Sequence, residues 1–172
     1  EQQGELLLVR CDIDNLIDYM MVIFYTGNVD APVSAFSSNN MPNNYFAISD
    51  RENKGKGFVF IAHDSEHSMF IDPIYVHNGI YENRVTINDP AMTASGISNF
   101  QPQWLHQKLS ANSEYRLRFA DRAYNQFSPG GAFSPEKCLE RFRVRMEQID
   151  GIAQGRCSNA AGRLGIDLCH PF

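Results

Sequence analysis

Two short β-type runs, Tyr45 to Ser49 and Phe58 to Ala62, stand in a chain whose other strong periodicities are helical. Between them lies the charged, glycine-bearing stretch Asp50-Arg-Glu-Asn-Lys-Gly-Lys-Gly57, which suits the solvated tip of a hairpin. One hairpin among helices predicts an α+β fold, mostly helical, with the hairpin at its centre.

The first helix is predicted over Asp12 to Tyr25. Ile13, Leu16, Ile17, Met20 and Phe24 fall at helical spacing, with Asp12 placed to cap and Gly27 to stop. Asn28 to Asn43 holds Pro32, Ser34, Ser37, Ser38, Asn39, Asn40 and Pro42, too broken for regular structure, and reads as a long functional or mobile loop. Asp64 to Phe100 is irregular and rich in Asn, Gly, Ser and Pro.

Helices close the chain. Gln103 to Ser110 is short; Glu114 to Phe127 is capped by Asn112 and carries Leu117, Ala120, Tyr124 and Phe127 on one face. Ser134-Pro135-Glu136 starts a helix with the stripe Leu139, Phe142, Met146 and Ile149, and a weaker last helix spans Ala153 to Leu164. Trp104, Phe119, Tyr124, Phe127 and Phe142, at helical spacing, read as core. With no linker or repeat in sight, residues 1–172 read as one domain.

A 43% hydrophobic content over 172 residues is enough for a real core. No apolar run approaches the length needed to span a bilayer. Residue 1 is Glu, so any address label is expected upstream. A net charge of −5 argues against a nucleic-acid partner. Arg116, Arg118, Arg122, Lys137, Arg141, Arg143 and Arg145 are interleaved with acids and read as a solvated mixed-charge face. Cys11, Cys138, Cys157 and Cys169 lack zinc-ligand spacing; Cys157 with Cys169 is the disulfide to test if the protein is exported, and Cys138 suits a helix face.

The chemistry concentrates at the hairpin mouth. Asn44 precedes the first strand and Asp64 follows the second, and residue 54 is equidistant from both, so symmetric antiparallel pairing brings them to one end. Such hard oxygen donors suit Mg²⁺, and Asp30 in the preceding loop adds a third acid. A protein kinase uses these parts in this order: an Asp that receives the substrate hydroxyl proton, an Asn on the metal, and an Asp after a hairpin on the metals. Asn and Asp are also everyday turn formers, and the same three residues fit as caps and turns. Glu66 and His67 fit as turn residues around Asp64.

Several segments resemble the CotH (spore coat protein H) kinase family. They are Asp14-Asn-Leu-Ile-Asp-Tyr-Met20, Phe24-Tyr-Thr-Gly-Asn-Val-Asp30, Asn43-Asn-Tyr-Phe46, His63-Asp-Ser-Glu-His-Ser68, the tail block from Leu109 to Arg122, and Gly130-Gly-Ala-Phe-Ser-Pro-Glu136. The resemblance is co-linear over most of the chain. It implies a reduced protein-kinase-like fold, of which these residues form part of the larger, C-terminal lobe. It also implies transfer of phosphate from ATP, with Mg²⁺ or Mn²⁺, to serine or threonine of secreted or surface proteins. Asp30 takes the catalytic-aspartate role, with Asn44 and Asp64 as metal and nucleotide ligands.

Three departures qualify that resemblance. The loop from Asp30 to Asn44 is longer than the family usually carries, which leaves Asn39, Asn40 and Asn43 as alternative ligands. His63 stands where many members place a bulky aromatic. The phosphate-gripping half does not precede Glu1, so the chain by itself is expected to be inactive. The alternative is a non-catalytic surface or coat module that keeps the fold, with 64–100 as its contact surface.

Overall fold

The computed structural model describes residues 11–37, 41–50, 52, 57–69, 81, 83–85 and 101–164. In chain order it contains α1 (Ile13–Thr26), a 3₁₀ turn (Ala35–Ser37), β1 (Tyr45–Ser49), β2 (Phe58–Ala62), α2 (Pro102–Leu109), α3 (Ser113–Phe127) and α4 (Pro135–Leu164). It is α+β, with four helices and one two-stranded antiparallel sheet among the described residues. The chain divides into two compact units, Glu1–Arg122 and Ala123–Phe172. The Asp64 to Phe100 excursion and the Cys157–Cys169 pair lie largely outside the described residues.

Local chemistry defines both ends of α1. The Asp12 side chain accepts from Asn15 N–H at 3.0 Å, satisfying a first-turn donor. At the other end Gly27 turns left-handed at φ 58°, its N–H reaching Phe24 O and the Asn28 N–H reaching Ile23 O. That pair of bonds closes a Schellman end, for which glycine has no Cβ penalty. Leu16, Ile17, Met20 and Ile23 are at most 1% exposed, each contributing roughly 1.5–3 kcal/mol by burial.

A lone hairpin is marginal in water, and this one leans on α1. Cross-strand pairs run from Tyr45 opposite Ala62 to Ser49 opposite Phe58. Phe60 is buried between the Tyr19 and Tyr45 rings, each 6.2 Å away. The Asn15 amide acts as a substitute strand on the outer edge of β2. Its Nδ2 donates to Phe60 O at 3.1 Å and its Oδ1 accepts from Phe60 N at 2.5 Å. Asp12 N donates to Phe58 O at 2.9 Å, extending that cover along the edge.

α2 begins at Gln101, whose side chain accepts from Gln103 N, with Pro102 in the first turn. It buries Leu105, His106 and Leu109. The Asn112 side chain accepts from Glu114 N and Tyr115 N, as its capping role requires. The buried face of α3 is not the expected one. Leu117, Tyr124 and Phe127 are 58%, 75% and 47% exposed, while Tyr115 is buried and Phe119 half-buried. Tyr115 OH lies 2.8 Å from His106 Nδ1, and Phe119 packs 5.2 Å from the same ring. The expectation of core aromatics therefore fails for Tyr124, Phe127 and Phe142.

Arg118 and Arg122 stay exposed and partly exposed, 51% and 29%, in the mixed-charge pattern expected, but their acid partners lie on α1. Arg118 Nε donates to Asp14 at 2.6 Å, and Arg122 makes a two-pronged bond to Asp18 with a further ion pair to Asp14 at 3.3 Å. These pairs tie α3 to the outer side of α1.

In the second unit, Ser134 Oγ accepts from Lys137 N as the N-cap of α4. The helix then runs unbroken to Leu164, one element where two were expected. The glycines at 151, 155 and 162 lower helix propensity without ending it. Lys137 and Glu140 form an exposed pair at 2.7 Å, the mixed-charge pattern expected there. Cys138 is half-buried and unbridged.

Candidate functional site

The segment after α1 is irregular by pattern but closely paired. Ser34 N donates to Met41 O at 3.1 Å and Asn43 N to Pro32 O at 2.9 Å, with Val33 bridged antiparallel to Pro42. On its other side Val29 N donates to His67 O at 3.3 Å and Met69 N to Thr26 O at 2.6 Å. Three stretches thus lie side by side, with 29–34 in the middle. Val29, Ala31 and Val33 are almost fully buried, so this loop is a packed part of the core.

Asp30 sits on that central stretch, 9% exposed. Its N–H donates to Asn28 Oδ1 at 2.9 Å. Ser34 Oγ donates to Asp30 Oδ1 in a short hydrogen bond. Asn44 Nδ2 donates to Asp30 Oδ2 at 2.8 Å. Both oxygens of a nearly buried carboxylate are held, which keeps it fixed while each oxygen retains a second acceptor direction.

Asn44 also reaches the other predicted residue. The same Nδ2 donates to the Asp64 carbonyl at 3.3 Å. The expected register, symmetric about residue 54, is off by one. Asn44 stands opposite His63, whose N–H donates to Asn44 O at 3.2 Å, and Asp64 lies one residue further out. Alternation decides this: the observed register puts Tyr45 on the same face as the buried Phe60, and a one-residue slip would put it on the opposite face. Asn44 and Asp64 both adopt positive φ, 53° and 49°, at the mouth of the ribbon. Asn and Asp tolerate this conformation better than other side chains.

Asp30, Asn44 and Asp64 are therefore brought together, through one amide nitrogen. Because Nδ2 faces two acceptors, Asn44 Oδ1 is the free oxygen of that side chain. Asp64 is exposed. An amide oxygen and a carboxylate are the hard donor types that a divalent ion such as Mg²⁺ takes beside water and phosphate. Asp30, already bonded to two donors, is fixed in position beside them. No group of three His, Cys, Asp or Glu side chains at metal-holding distance occurs among the described residues. Any such ion here relies on an amide oxygen.

Of the alternative asparagines, Asn39 and Asn40 lie outside the described residues. Asn43 contributes its main-chain N–H to Pro32. His63 packs edge-on against Phe46 with centroids 4.9 Å apart, and His67 packs against Phe36 in the same way. Glu66 lies 3.6 Å from His67 Nε2, a turn contact. Ser34 was not legible as a site residue; its spacing of four from Asp30 was the available signal. No family model, curated protein or solved structure matches this chain.

Proposed function

We propose that this chain carries the catalytic and metal-binding part of an atypical, CotH-like protein kinase, resembling the larger lobe of that fold. Its reaction would be phosphate transfer from ATP to a serine or threonine hydroxyl of a secreted or surface protein. The carrying observation is the Asn44 amide, which donates at once to the Asp30 carboxylate and the Asp64 carbonyl. Asp30 orients the hydroxyl and accepts its proton as the hydroxyl oxygen takes the γ-phosphoryl group and ADP departs. Asn44 Oδ1 and the Asp64 carboxylate hold Mg²⁺ or Mn²⁺, which when bound supplies charge neutralisation at the phosphates. Ser34 keeps the Asp30 carboxylate from rotating.

A second reading is a non-catalytic surface or coat module, and one observation favours it. Asp30 and Asn44 are fourteen residues apart, where the kinase catalytic loop places its Asp and Asn five apart. In that case the amide is a structural clamp between three stretches of chain. Transfer of labelled phosphate from ATP by the intact protein, beside Asp30→Asn and Asp64→Asn versions, separates the two. Loss of labelling in both variants by at least about a hundredfold is expected of the enzyme. Equal labelling by all three rejects the site.

A further inference from the structure

From Leu139 to Gly151 every residue of α4 is exposed, yet four large apolar side chains share one line along it. Leu139, Phe142, Met146 and Ile149 are 54%, 63%, 40% and 51% exposed. Their spacing alternates three and four residues, the repeat of a coiled-coil seam. Leu139 and Met146 occupy the a positions, Phe142 and Ile149 the d positions. Aligned apolar side chains on a helix need a partner surface, because water penalises the whole stripe.

The flanking charges say what that partner is. In this frame Arg143 and Asp150 take e positions and Arg145 a g position. Among the described residues neither Arg145 nor Asp150 has an ion-pair partner. Arg145 Nη1 donates within the helix to the neutral Gln148 Oε1 at 2.8 Å. In a parallel, in-register pair each g position faces the following e position across the seam. Arg145 then meets Asp150 of the other helix, twice by symmetry. An antiparallel pair centred on the same stripe sets Arg143 against Arg143 and Arg145 against Arg145, which is repulsive.

We propose that α4 associates, parallel and in register, with α4 of a second copy of this chain. Leu at a with Ile at d also suits more than two strands, so a larger parallel assembly uses the same seam. The inference is independent of the kinase-like reading, since it rests on no residue of that site.

Sedimentation velocity of the whole chain under reducing conditions, from about 1 to 200 µM, tests it. The sedimentation coefficient should rise with concentration. Met146→Glu should stay monomeric throughout, and Phe142→Glu should do the same, with unchanged helical circular dichroism in both. Asp150→Arg should weaken association at least about tenfold, and adding Arg145→Asp should restore it. A wild-type monomer at every concentration overturns the proposal. So does association that Met146→Glu leaves intact, or a charge swap that fails to restore it.

Discussion

Asn44 donates its amide to the Asp30 carboxylate at 2.8 Å, joining residues fourteen positions apart at the mouth of the only hairpin among the described residues. The bond links the loop after α1 to the start of β1, and the same nitrogen reaches the chain leaving β2.

Asn44→Leu should cost roughly 2–4 kcal/mol of stability. About 1–3 kcal/mol comes from leaving Asp30 Oδ2 short of its donor, and the rest from a branched side chain at φ 53°. Asn44→Gly relieves the backbone and should cost less. Urea midpoints of the two variants, at constant slope, measure the difference.

Asn15 is the residue on which the hairpin depends. Asn15→Leu removes both bonds to Phe60 and leaves a half-covered strand edge. A loss of about 1–3 kcal/mol is expected. The Phe60 amide should lose most of its protection against hydrogen exchange, while the Leu16 and Ile17 amides lose much less.

Burial depresses His106 to a pKa of about 4, from an ordinary value near 6.5. The unfolded chain therefore binds a proton through this window that the folded chain refuses. Stability supplied by the neutral ring is full above about pH 6.5 and falls as pH drops toward 4, by roughly 3 kcal/mol in all. His106→Gln keeps a partner for Tyr115 OH but does not titrate. Its stability should be flatter between those pH values, measured by denaturant unfolding at several pH values.

Arg122→Gln should cost only about 0.5 kcal/mol, because Arg122 and Asp18 are partly exposed, 29% and 41%, and water screens the pair. The cost should shrink further in 1 M salt. Thermal unfolding at low and high ionic strength checks both statements.

What the residues revealed in advance was local. The Asp12 cap, the Gly27 stop, the limits of both strands and the Ser134 cap each depend on a few neighbouring side chains. The misplaced face of α3 shows the limit of periodicity. Tyr115 and Phe119 compete with Leu117, Tyr124 and Phe127 for the inward side, and only the position of His106 decides between them. The same holds for Arg118 and Arg122, whose partners on α1 are 104 positions away. At the site, the approach of Asn44 and Asp64 followed from hairpin symmetry, Asp30 from its place in the preceding loop and the family resemblance, and the one-residue shift from neither. That shift is set by burying Phe60 against Tyr19 and Tyr45.

The most direct test of the central claim is Mn²⁺ titration of the chain, followed by paramagnetic broadening of its amide resonances. Asp64→Asn serves as the control, since Asn tolerates the positive φ at that position. Broadening should centre on the amides of Asn44, Tyr45, Asp64 and Ser65 and disappear in Asp64→Asn. Broadening spread evenly over the exposed acids, or unchanged in that variant, would contradict a divalent-ion site at the hairpin mouth.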